Sequence, residues 1–209
     1  MKKYEITDEA KVLEDGTTVY RIRAVEDFAA YDGTEIHAGD LGGWVEGEHN
    51  LARGFRAWIF GNAVVTGGAV VAGDATARDE ARVHGRALVT GAAVVSGDAT
   101  VGGCARVEGR AFVGGNAGVS GFAYVGGRAQ ITDTALVAGI ACVDDSAYVA
   151  GYSWVYGHAQ VYGDAHIAGC ARVHGRARVS GGAHIDELGE AAGDMHVDGD
   201  THIEARLAE

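Results

Sequence analysis

Proline is absent from all 209 residues, although average usage would supply about 5%. Such a chain keeps every backbone N–H available and no φ locked, which suits a fold that uses nearly all of them in ladders or tight corners. Lysine stops at Lys11, so arginine alone is left to meet anionic groups further along. The only three cysteines, Cys104, Cys142 and Cys170, form no Cys-x-x-Cys pair. That spacing excludes zinc-finger and thioredoxin-type frameworks and fits a reducing compartment. No apolar run approaches the roughly 18 residues of a membrane span. The segment Met1-Lys2-Lys3-Tyr4-Glu5 lacks the apolar core of a secretory signal, so a cytoplasmic protein without membrane contact is expected. Bases are short as well, 17 against 29 acids for a net charge of −12, which disfavours general nucleic-acid binding.

Glycine, in contrast, is abundant at 34 residues, and it recurs with a fixed period. From Ile59 to Ile203 every sixth residue can be read without an insertion, and 23 of these 25 positions are Val or Ile, the exceptions being Ala77 and Ala191. Two places before stands alanine from Ala57 to Ala183, replaced once by Ser153, and glycine or an acid such as Asp79 stands two places after, up to Gly199. In Ala-x-Val two side chains share one face, the period of a strand, and β-branching favours it. The following glycine supplies a bend with φ > 0. Three residues of strand and three of turn are too short for a hairpin meander. They suit a chain that turns about 120° per hexad and stacks triangular coils of 18 residues by parallel pairing at about 4.8 Å. About eight coils are expected, with alanine and valine filling a narrow core.

The unit Val95-Ser96-Gly97-Asp98-Ala99-Thr100 resembles the hexapeptide repeat of left-handed parallel β-helices, and the resemblance implies the handedness. The expected fold is all-β: residues 1–56 as an amino-terminal capping or docking region, 57–205 as the β-helix, and 206–209 as a tail. Lys11 to Ile22 reads as a hairpin turning at Asp15-Gly16, Ala24 to Tyr31 suits a short helical turn, and Trp44 is expected to cover the first coil. The stretch from Gly39 to Leu51, followed by the repeats, resembles the amino-terminal region of YdcK-type hexapeptide proteins of bacteria and prophages, a family labelled acyltransferase on the β-helix alone. At the other end the repeat decays at Gly189, Ala191, Met195 and Thr201, and residues 186–209 carry eight acids and one arginine. A charged end coil discourages end-to-end stacking.

Residues 18 apart stack vertically, so outward side chains sort into columns. Trp58, Val94, Phe112 and Tyr148 share one column, expected to mediate self-association, and the repeat resemblance implies a homotrimer. Further along that column stand His166, His184 and His202, with Asp186 and Glu204 beside them, candidate metal ligands by residue type although no cofactor is required. Tyr148, Tyr152, Trp154, Tyr156 and Tyr162 ring one level of the prism as candidate partner-binding residues. Ala81-Arg82-Val83-His84-Gly85-Arg86-Ala87 recurs as Ala171-Arg172-Val173-His174-Gly175-Arg176-Ala177, five whole coils on. Arg82, Arg86, Arg172 and Arg176, with the neighbouring pair Arg110 and Arg128, are candidate anion contacts.

These patterns favour a non-catalytic interaction scaffold that binds a host protein or a small anionic ligand; the YdcK-type resemblance implies a phage or prophage accessory role. The alternative is acetyl-CoA-dependent acyl transfer, for which His84, His158 and His174 are the candidate bases. The uninterrupted hexads from 59 to 203 leave no loop extruded over a cofactor.

Overall fold

The fold is known from a computed structural model that describes residues 3–204. It is a parallel β-helix. Three sheets form the walls of a triangular prism, and each strand pairs in parallel with the one 18 residues on, as in Arg82↔Thr100, Leu88↔Arg106 and Val94↔Phe112. The first wall runs from Leu41–Val45 through Val64–Val65 to Glu190–Ala191, the second from Val70–Val71 to His196–Val197, and the third from Trp58–Ile59 to His202–Ile203. The core matches the Ala-x-Val pattern: Ala81, Val83, Ala93, Val95 and their counterparts in every middle coil are at most 1% exposed. Ser153, alone among the alanines, is buried too, and its hydroxyl donates to the Ala150 carbonyl at 2.7 Å.

Nine coils are present among the described residues, not eight. Trp44↔Val64, Val45↔Val65 and Leu51↔Val71 pair with an offset of 20 rather than 18. Two extra residues between Leu51 and Ile59 thus hide the first coil from a strict six-residue count. Stacking therefore starts at Leu41, upstream of residue 57 where the unbroken spacing begins. The 206–209 tail lies outside the described residues.

The turn glycines have φ between about +57° and +74°, as at Gly109 (φ +71°). A Cβ there would stand 2.6 Å from the carbonyl oxygen of Gly127 in the next coil, so conformation and close stacking both require glycine. Asp79, Asp133 and Asp145 take the same backbone conformation. Their carboxylates accept the backbone N–H of Gly97, Gly151 and Gly163 in the following coil at 3.0–3.1 Å. An acid at this corner offsets its strained φ with a charge-assisted bond between coils.

Most of the inter-coil N–H groups outside the strand-to-strand bonds donate toward the carboxyl-terminal end, as in Trp58 N–H to Ala75 O, so carbonyls of the first coil face the amino-terminal region. That region meets them. Strand β1 (Tyr4–Val12) and β2 (Thr18–Ala24) form the expected hairpin, and β2 pairs antiparallel with β5 (Leu41–Val45) to extend the first wall. The Tyr4 hydroxyl donates to the Glu48 and Leu51 carbonyls, and Lys3 Nζ donates to Ala57 O at 2.6 Å and Phe55 O at 3.2 Å. Lys3 is 3% exposed, and burial lowers its pKa to about 8.

Two local expectations are corrected here. Residues 24–31 hold no helical turn: Phe28–Ala29 (β3) pairs with Glu35–Ile36 (β4) through a turn with Gly33 at φ +86°, because Phe28 is drawn edge-on against Trp58 at 5.3 Å. Trp44 does not cap the first coil but belongs to it, in β5, with Lys11 and Arg21 over its ring at 4.3 and 5.0 Å.

Gly109→Ala is expected to destabilise the fold by about 1–3 kcal/mol in chemical denaturation. Gly54→Ala, where a Cβ meets nothing within 4 Å, should change it by under about 0.5 kcal/mol. Folding lowers the Lys3 pKa, so the unfolded chain binds more protons between about pH 8 and 10.5. The thermal midpoint of the wild type, relative to Lys3→Met, should therefore rise across that window and be flat below it.

Candidate functional site

Outward side chains stand on a rigid lattice whose register decides which of them meet. On the first wall one column runs Val64, Arg82, Thr100, Gly118, Leu136, Trp154, Arg172, each aligned with the next by parallel pairing. The corner between the first and second walls carries Arg86, Cys104, Phe122, Ile140, His158 and Arg176, again 18 apart. Phe122 is 68% exposed, Ile140 56%, Trp154 48% and Leu136 39%. Four large apolar side chains thus share neighbouring coils of one wall and its edge.

The carboxyl-terminal side of this patch is built from stacked rings. Trp154 meets Tyr156 edge-on at 6.4 Å, and the Arg172 guanidinium lies 5.9 Å from the Trp154 ring. Tyr156 stacks on His174 at 4.9 Å with the planes 9° apart, and His174 Nε2 shares a hydrogen bond of 2.6 Å with Glu190. The second copy of the Arg-x-His-x-Arg motif is therefore part of an aromatic cluster.

The first copy has different surroundings. The β1–β2 turn reaches over the first wall and closes a cleft of about 520 Å³ lined by Lys11, Glu14, Asp15, Glu80, Arg82 and His84 among others. Burial lowers the Lys11 pKa, Glu80 opposing the shift, and the Thr17 backbone N–H lowers that of Asp15. Three carboxylates against two fixed cations make a poor seat for a polyphosphate. The His84 ring occupies the space beside Gly102, where an added Cβ would sit 2.4 Å from it. Among the described residues no side-chain hydrogen bond orients it.

The remaining expected sites are dispersed. The three candidate bases do not converge: His84 and His174 lie five coils, about 24 Å, apart, and His158 is on the corner. The five aromatics divide among the walls, with Tyr148 on the third, Trp154 and Tyr156 on the first, Tyr162 beyond Val161 on the second, and Tyr152 at a corner. Arg110 and Arg128 do occupy successive coils, but the Arg110 guanidinium packs against Tyr31 at 5.5 Å, as Arg56 does at 5.0 Å. The self-association column loses its first member. Trp58 is 1% exposed, buried beneath Tyr4 and Phe28, and Thr76 beside it is 3% exposed. Gly42 makes room for that indole, since a Cβ there would come within 2.7 Å of it. Val94, Phe112 and Tyr148 remain half-buried, the Phe112 ring filling the space beside Gly114.

Sequence reasoning missed the turn folded over the first wall and the Phe122–Ile140 edge. The edge was accessible by sorting turn residues, as well as strand residues, into columns of 18.

The chain is thus a hexapeptide-repeat parallel β-helix protein. No protein-family model matches it. It is similar to the Escherichia coli (strain K12) protein named uncharacterized acetyltransferase YdcK, with 35% identity over 82 residues that cover 35% of this chain and 24% of that protein. The match spans about a quarter of the relative's length.

Because Trp154 and Tyr156 lie outside the packed core, Trp154→Ala and Tyr156→Ala should each shift the thermal midpoint by no more than about 2 °C in calorimetry.

Proposed function

We propose that this protein is a non-catalytic docking scaffold, with a phage or prophage accessory role as its setting, and that the first wall binds a partner protein. The reading rests on the exposed apolar group Phe122, Leu136, Ile140 and Trp154, with Arg86, Arg172 and Arg176 around it. Aromatic anchors beside arginines are the composition of interface hot spots. The arginines favour a partner whose apolar surface is rimmed by carboxylates. A β-helix suits such a role because its ladder holds the side chains in place before contact and little conformational entropy is lost on binding.

Acyl transfer from acetyl-CoA is the second reading. The name of the YdcK relative favours it, as does the cleft that the β1–β2 turn forms over His84. Against it stand the excess of carboxylates in that cleft and, among the described residues, the absence of a side-chain hydrogen bond to His84.

The deciding experiment immobilises the chain, purifies the protein it retains, and titrates that protein in solution. Trp154→Asp and Arg172→Glu are expected to weaken binding at least tenfold, while Tyr162→Ala on the second wall leaves it unchanged. Equal affinity in all variants, stoichiometric binding of acetyl-CoA by calorimetry, or a dimer or homotrimer that Trp154→Asp dissociates would overturn the proposal.

A further inference from the structure

The third wall ends in a ladder of imidazoles that the proposed docking surface does not use. His166, His184 and His202 are direct partners in successive parallel pairs, while Ile167 and Ile185 anchor the same strands in the core at 0% exposure. Tyr148 stacks on His166 from the preceding coil at 4.9 Å with the planes 21° apart, and Thr132 Oγ1 lies 3.2 Å from the Tyr148 hydroxyl. The His166–His184 and His184–His202 ring centroids are 5.2 and 5.8 Å apart.

Asp186 stands two residues beyond His184, on the same outward side of the strand, and reaches both ways along the ladder. One carboxylate oxygen is 3.5 Å from His166 Nδ1, and the other is 3.0 Å from His202 Nε2. His202 also contacts Glu204 at 3.2 Å. His166 Nδ1 is shielded from solvent and has no hydrogen-bond partner. A shielded ring nitrogen that makes no hydrogen bond while a carboxylate stands 3.5 Å away calls for a ligand role.

We infer that His166, His184 and Asp186 form a site for a divalent transition-metal ion of the zinc class, with His202 as a fourth donor. One ligand atom from each of the first three lies within 4.8 Å of the others. Four-coordinate zinc holds its donors at about 2.0–2.1 Å, which sets them about 3.3 Å from one another. Closing that difference takes rotation of exposed or half-exposed side chains and no movement of the ladder. Two or three imidazoles with one carboxylate select zinc, nickel or copper over calcium and magnesium, which prefer all-oxygen shells. Tyr148 holds one ligand ring in orientation, the part that outer-shell groups play in metal sites. Glu204 and the acids of the final coil add a field that favours a cation.

The test uses the untagged chain, stripped with chelator and titrated with Zn²⁺ in a calorimeter and with Co²⁺ in an absorption spectrometer. One equivalent should bind with micromolar or tighter affinity, and Co²⁺ should give the intense visible bands of a four-coordinate ion. His184→Ala and Asp186→Asn are each expected to lower the affinity at least tenfold. His196→Ala, which removes an exposed histidine from the second wall, should leave it unchanged. Melting curves of the metal-free variants confirm that each is folded, and His166→Gln supplies a second probe should one fail. Absence of saturable binding, or equal weakening by His196→Ala, would overturn the assignment. Neither result bears on the partner-binding surface.

Discussion

Everything in this protein depends on the parallel backbone ladder closing at an offset of 18 residues. Each coil donates N–H groups to the carbonyls of the next, and the Ala-x-Val pairs of three strands fill the interior between them. Because the interior is so narrow, its volume is set by alanine with valine or isoleucine, and a proline would lose either a ladder bond or the positive φ of a corner. The corners are equally constrained: glycine is needed where coils approach to within contact, and aspartate replaces it only where its carboxylate bonds the coil beyond. At the amino-terminal end Tyr4 and Lys3 satisfy carbonyls of the first coil, and at the other end the chain places its excess of acids.

The same ladder turns a linear sequence into a ruled surface. Residues 18 apart become neighbours whatever their chemistry, so spacing alone decides which outward side chains meet. In this way Leu136 adjoins Trp154, Tyr156 lies flat on His174, and three histidines from separate coils stand over one aspartate. Among the described residues the cover on the first wall comes from the amino-terminal hairpin, which lies outside the repeat.

The repeat, its triangular coils and the hairpin at Asp15-Gly16 were legible in the sequence because each depends on local chemistry with a fixed period. The first coil was not, since two additional residues after Leu51 break that period while hydrogen bonding tolerates them. The histidine column was legible as a column, and so was the shared wall of the two Arg-x-His-x-Arg motifs. That one motif lies beneath a turn and the other against Trp154 and Tyr156 was not legible, because those neighbours come from outside the motif.

By itself, the sequence determined the period, and with it the core, the corners and the alignment of every column, since these follow from side-chain size, β-branching and the φ that each corner requires. Only the tertiary structure decided which outward residues stay open. Trp58 reads like Trp154 in the repeat, yet one is sealed beneath Phe28 and the other faces solvent. The difference arises from how a non-repeating segment of 40 residues, with no periodicity of its own, folds back over the first coils.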